Sequence, residues 1–119
     1  MLLRNVSTGM LLAQSVRRAR TPWRRIIGWL TRSAIGTGEG LLFEQCSAIH
    51  TIGMRTAIDV IFLDRHNCIK QVHAHVAPGR GHVGCSNATK VLEMGPGFID
   101  EHDLLIGDCL VLEPIPVKA

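Results

Sequence analysis

Apolar residues in this chain come in short runs, each closed by a cluster of Gly, Pro, Asn or Asp, which is the pattern of short strands joined by turns. The densest run is Ala57–Leu63 (Ala-Ile-Asp-Val-Ile-Phe-Leu). It is brief, rich in β-branched residues and nearly continuous, so it predicts a buried strand rather than a helix. Asp64–Asn67 then predicts a turn and Cys68–Val76 a returning strand. In that second strand Ile69, His73 and His75 share one parity, and Lys70, Val72, Ala74 and Val76 the other. Neither set is cleanly apolar, so the pattern leaves its inward face open. Upstream, Leu2–Val6 and Met10–Ala19 predict a hairpin across Ser7-Thr8-Gly9. Leu41–Phe43, Asn87–Met94 and Cys109–Leu112 predict further strands, and Ala77–Gly84 a mobile loop. Gly95-Pro96-Gly97 breaks the chain before Phe98–His102, which predicts one helical turn, and Pro114 and Pro116 make an extended tail.

Helical periodicity occurs once. Thr21-Pro22 supplies a cap and a first-turn proline, and Trp23, Ile26, Ile27 and Leu30 follow at i, i+3, i+4 and i+7. Trp29 falls off this stripe. The reading is one domain over residues 1–119, of α+β class and mostly β. It would be a small curved antiparallel sheet or partly closed barrel, with one helix in the N-terminal half and a short C-terminal helical turn. Residues 31–40, with Gly36, Gly38 and Gly40, read as a flexible loop. No Lys-Ser/Thr pair follows these glycines, so a phosphate-cradling role is discounted.

Composition changes this picture little. Apolar residues make up 46% of the chain and aromatics 4%, with no Tyr, so Leu, Ile and Val must fill the core. Charge is more informative. Residues 1–40 hold seven Arg against Glu39 alone, whereas residues 41–119 hold three Arg and three Lys against nine carboxylates. Packing of complementary parts explains this most simply. Cys46, Cys68, Cys85 and Cys109 show no C-x-x-C spacing, and no apolar targeting run or membrane-length stretch is present. Reduced thiols in a cytoplasmic protein are expected.

The candidate chemistry centres on His50–Asp64. Asp59 interrupts an apolar strand, and a buried carboxylate must be paired or hydrogen-bonded. Arg55 or Arg32 could pair with it, or backbone N–H groups of a neighbouring loop could. The leading expectation is a non-enzymatic binding or accessory domain for a small polar or anionic ligand or a peptide. Its surface would join Trp29 and Arg32 at the helix end to His50, Met54, Arg55 and Asp59, with Arg as forked donor and Asp as acceptor. Trp29 would be an exposed platform or would lie half-buried under the 33–40 loop. An alternative is a small hydrolase or transferase using Asp59 or the Cys46–His50 pair. Another is polyanion binding through the Arg17–Arg32 cluster, although no nucleic-acid module is visible and nucleic acid is disfavoured. Cys46 and His50 are four apart and His73 and His75 share one side of a strand, and Cys85 and Cys109 could complete a metal site only by folding nearby, but no spacing matches a metal motif, and no cofactor is expected.

Several segments, in order, resemble the prokaryotic family known as domain of unknown function 192. They are Arg24–Arg32 (Arg-Arg-Ile-Ile-Gly-Trp-Leu-Thr-Arg), Gly40-Leu41-Leu42-Phe43, His50–Asp64, Val91-Leu92-Glu93-Met94 with Gly97, and Ile106-Gly107-Asp108. The resemblance spans nearly the whole chain and implies a compact, mostly β fold with few helices. It implies no activity. The chain departs from the family pattern at Ile52-Gly53, at Ala57 and in the turn Arg65-His66-Asn67.

Overall fold

The computed structural model describes residues 1–19 and 29–117. The chain runs through strands β1 (Leu2–Asn5), β2 (Leu11–Ala13), β3 (Ser15–Ala19), β4 (Glu39–Glu44), β5 (Ala48–Ile49), β6 (Ile58–Leu63), β7 (Ile69–Val76), β8 (Val83–Gly84) and β9 (Lys90–Met94). The short helix α1 (Phe98–His102) and strand β10 (Leu110–Glu113) follow. The helix expected to start at Thr21-Pro22 lies, apart from its last residues, outside the described residues.

A five-stranded sheet in the order β3-β4-β9-β6-β7 forms the centre. All six residues of β6 are buried, because both faces of this sheet are covered. Side chains alternate across a strand, so Ile61 and Leu63 point to one side and Ile58, Val60 and Phe62 to the other. The first side packs on a three-stranded sheet, β10-β1-β2, and on α1, through Leu3, Leu42, Leu92, Met94, Phe98 and Leu110. The second side packs on Trp29 and Ile35, from the segment before β4, and on Ile49 and Val83 of the two-stranded β5-β8 pair, with Val76 of β7 in the same cluster. Double coverage is why the run reads as continuously apolar rather than alternating.

Four expectations are corrected. Met10–Ala19 is not one strand: it breaks at Gln14, leaving β2 in the hairpin with β1, while β3 joins the central sheet beside β4. The β3–β4 pairing is parallel, so the sheet is mixed rather than antiparallel. Because β3 leaves the hairpin, the strands among the described residues form separate open sheets and no partly closed barrel. Cys68 and Cys109 are joined by a disulfide between the starts of β7 and β10, which corrects the expectation of four reduced thiols; Cys46 and Cys85 are free.

The loop after Trp29 is pinned. Arg32 makes a forked bond to Glu39, with both nitrogen–oxygen distances at 2.9 Å, and Glu39 Oε1 also accepts from the Gly36 amide at 3.1 Å. That amide, which a phosphate cradle would use, is already held by a carboxylate. The loop lies directly on Gly95, where a Cβ would come within 2.0 Å of the Gly36 carbonyl oxygen, so only glycine permits this approach.

Candidate functional site

Asp59 is fully buried, and its carboxylate is a structural staple. Oδ1 accepts the His75 amide at 2.9 Å and Oδ2 accepts the Ile99 amide at 2.8 Å. The first bond explains the uneven pattern of β7. Between the pairs Ile58–Val76 and Val60–His73, β7 spends three steps against two on β6, so an extra residue bulges out. His75, at the bulge, has a positive φ of 53°. The bulge frees a backbone N–H from the ladder, and Asp59 takes it. A second slip between Phe62–Gln71 and Leu63–Ile69 reverses parity again, so both Ile69 and Val76 are buried. The other oxygen ties α1 to the same strand. Asp59 therefore joins three elements by backbone bonds and pairs with neither Arg55 nor Arg32.

The six candidate residues do not form one surface. Trp29 is 2% exposed, in the core cluster on the second side of the sheet, and is not a platform. Its Nε1 is buried without a hydrogen-bond partner. Arg32 is committed to Glu39, and the bond raises its pKa above the ordinary value while lowering that of Glu39. Met54 is partly buried against the same core as Trp29. Only His50 and Arg55 face outward.

What holds that outward segment is Thr51, which sequence reasoning passed over. It is fully buried although polar. Its hydroxyl donates to the Ala77 carbonyl at 2.7 Å and accepts from the Arg80 amide at 2.9 Å. Its own amide donates to the Arg80 carbonyl at 2.9 Å, and its carbonyl accepts from Gly79 at 2.9 Å and Met54 at 3.1 Å. A single threonine thus stitches the loop 50–57 to the loop 77–82, part of the stretch Ala77–Gly84 that the sequence predicts to be mobile. Together these segments expose His50, Arg55, Arg80 and His82, with Ile52 and Pro78 as apolar neighbours. Neither loop contains a carboxylate, and among the described residues none pairs with Arg55 or Arg80. The only sequence signal for this surface was the absence of acidic residues from two loops distant in the chain.

The alternative chemistries find little support in the geometry. Asp59 is sealed under packing. The Cys46 thiol donates to the Ala48 carbonyl at 3.1 Å, so its proton is directed at the backbone rather than at an imidazole. Cys109 is bonded to Cys68 and cannot join Cys85 as a metal ligand. Among the described residues no three His, Cys, Asp or Glu side chains gather to hold a metal ion. Of the Arg17–Arg32 cluster, Arg18 pairs with Glu44 and Arg32 with Glu39, while Arg20, Arg24 and Arg25 lie outside the described residues. No helix among the described residues is long and apolar enough to cross a membrane.

Comparison with known proteins adds fold and family. The model of the family DUF192, described as "Uncharacterized ACR", matches residues 4–112. A crystal structure from Sinorhizobium meliloti 1021, described as a "putative transcription regulator", is similar with a TM-score of 0.78 and 21% identity, covering 92% of this chain and 89% of that one. A protein of unknown function from Novosphingobium aromaticivorans DSM 12444 is similar with a TM-score of 0.76 and 18% identity, covering 93% and 82%. At these identities the likeness concerns the fold. No curated protein matches the chain in sequence.

Proposed function

The chain belongs to the uncharacterised DUF192 family, and from that premise we propose that it is a small non-enzymatic binding domain that takes an anionic group on the surface made by loops 50–57 and 77–82. The anion is carried by a small molecule or by an acidic peptide. The observation that supports this reading is the Thr51 stitch, which fixes two acid-free loops against each other and leaves Arg55 and Arg80 without carboxylate partners among the described residues. Arg is suited to the task, since its planar fork matches a carboxylate or phosphate with two parallel bonds. Loops anchored to a rigid sheet are ordinary places for recognition. Ile52 and Pro78 would give an apolar border to a charged centre.

The test is titration of the folded protein with inorganic phosphate, citrate and a short poly-aspartate peptide, followed by amide chemical shifts. Shifts should concentrate in residues 50–56 and 77–83, and affinity should fall as salt is raised. The Arg55→Ala/Arg80→Ala double variant should keep its fold and weaken binding by about tenfold or more, as expected for loss of charge-assisted hydrogen bonds. Unchanged affinity in a folded double variant would reject the proposal. So would a loss of fold on Arg55→Ala alone, which would make that residue structural.

A further inference from the structure

The loops of the Arg55–Arg80 surface are carried by the two-stranded pair β5-β8, and that pair has one unused edge. β5 runs into His50, and His82 leads into β8. Ala48 stands opposite Gly84, and Ile49 opposite Val83. Next to them, the Cys85 amide donates to the Ser47 carbonyl at 2.9 Å. Bonded and non-bonded pairs alternate along an antiparallel ladder, so Ser47–Cys85 and Ile49–Val83 are bonded positions and Ala48–Gly84 is not. The N–H and C=O of Gly84 therefore point away from β5.

The two outer edges of this pair differ. On β5 the Ala48 carbonyl accepts from the Cys46 thiol at 3.1 Å. On β8, among the described residues, no hydrogen bond uses the backbone N–H or C=O of Gly84 or of His82, and His82 is exposed. Unpaired groups along a sheet edge are a template for another strand. Charge sets the direction of that strand. β8 runs away from Arg80, so a strand antiparallel to it ends beside Arg80 and brings a C-terminal carboxylate to the acid-free loops. A parallel strand would bring an ammonium to two guanidinium groups. Two residues of edge hold a peptide weakly, so the terminal charge has to supply much of the affinity. An apolar contact is also at hand for the last side chain. The Met54 amide donates to the Thr51 carbonyl at 3.1 Å, and Gly53 and Gly79 have positive φ of 86° and 87°. These are two tight turns with Ile52 and Pro78 at their tips.

Resting on the loop reading above, we propose that the anion is the C-terminal carboxylate of an extended peptide, which adds to β8 as an antiparallel strand. Arg55 and Arg80 take the carboxylate, and the backbone of His82 and Gly84 takes the backbone of the peptide. Ile52 and Pro78 border its last side chain.

The experiment titrates the whole chain with acetyl-Ala-Val-Ala-Val ending in a free carboxylate and follows amide chemical shifts. Shifts should appear at residues 82–84 as well as in the two loops. The same peptide ending in a carboxamide should bind at least about tenfold more weakly, the loss expected for a charge-assisted bond. Two further peptides carry one N-methyl group each, on the second or on the third residue. Neighbouring amides of a strand point to opposite sides, so one of these should bind about three- to tenfold more weakly and the other nearly as the parent. These comparisons alter only the ligand, so the fold is not at stake. Equal binding of acid and carboxamide, or equal effects of the two N-methyl groups, would overturn the proposal. Citrate binding at the loops with no response to the peptide would overturn strand addition alone. Silence towards both would remove the loop surface as well.

Discussion

Arg55 and Asp59 are four residues apart in the same segment, yet the structure uses them in opposite ways. Asp59 has no exposed surface, and each of its oxygens accepts a backbone N–H from a different element. Arg55 is exposed and has no carboxylate partner among the described residues. A charge inside an apolar run is conspicuous in sequence because burial makes it costly, and that same cost obliges the fold to satisfy it completely. A charge in a polar loop is inconspicuous and is left available. The conspicuous residue marks the architecture, and the inconspicuous one is the better candidate for contact with a ligand.

The strongest way to break this contrast is to remove both side chains separately. Asp59→Ala leaves the Ile99 amide buried without an acceptor and releases the bulge at His75. The expected cost is about 3–4 kcal/mol, in the range for breaking a buried charge-assisted network. Arg55→Ala should change stability by less than about 0.5 kcal/mol, as for an ordinary surface substitution. Urea denaturation of the two variants and the parent measures both. Losses of similar size would mean that Arg55 also holds the fold, and the division would fail.

An intermediate effect is expected at Thr51, which belongs to both regions: it is as buried as Asp59, but what it positions is the Arg55 loop. Thr51→Val keeps the shape and removes the hydroxyl, so the Ala77 carbonyl and the Arg80 amide each lose a partner. About 2 kcal/mol of stability should be lost, the usual scale for stranding such groups. Anion affinity should fall as well, although no charge is changed, because Arg55 and Arg80 are then no longer held in one arrangement. Reduced stability with undiminished anion binding would show that the two loops need not be stitched for recognition.

The sequence reported this molecule unevenly, for physical reasons. Local patterns placed β6, β7, β9, β10 and α1 to within a few residues, because each is bounded by turn residues. The break at Gln14 was invisible. Met10–Ala19 has no Gly or Pro to mark it, and only the parallel pairing of β3 with β4 requires it. The mixed parity of β7 was visible but could not be interpreted, since its cause is a pair of bulges fixed by strand β6 and by Asp59. The backbone-capping role of Asp59 was among the readings open from sequence; the joining of Trp29 and Arg32 to its surface did not follow, because Trp29 is drawn into the core and Arg32 into Glu39. Thr51 gave no signal at all. Its burial depends on partners 26 and 29 residues away.

The smallest expected effect concerns the far end of the same strand, where Asp64 is intermediate between the two cases. It is partly exposed, and Oδ1 accepts the amides of His66 at 2.8 Å and Cys68 at 3.0 Å, closing the turn into β7. The Cys68 amide chiefly, with the His66 amide and the nearby charges of Lys70 and His66, holds this carboxyl below its ordinary value of 3.8. A carboxyl with a depressed pKa in the folded state contributes stability that is present above the unfolded value and is lost as pH falls through the folded one. Stability should therefore decline with acid below about pH 4, and Asp64→Asn should flatten that decline while costing little at neutral pH. Glu39, also lowered, by its bond from Arg32, should keep some of the slope in the Asp64 variant. Denaturation curves at a series of acidic pH values would decide the matter: a slope unchanged by Asp64→Asn would mean that the turn needs only an oxygen there, and that among these loops charge matters to ligands rather than to the fold.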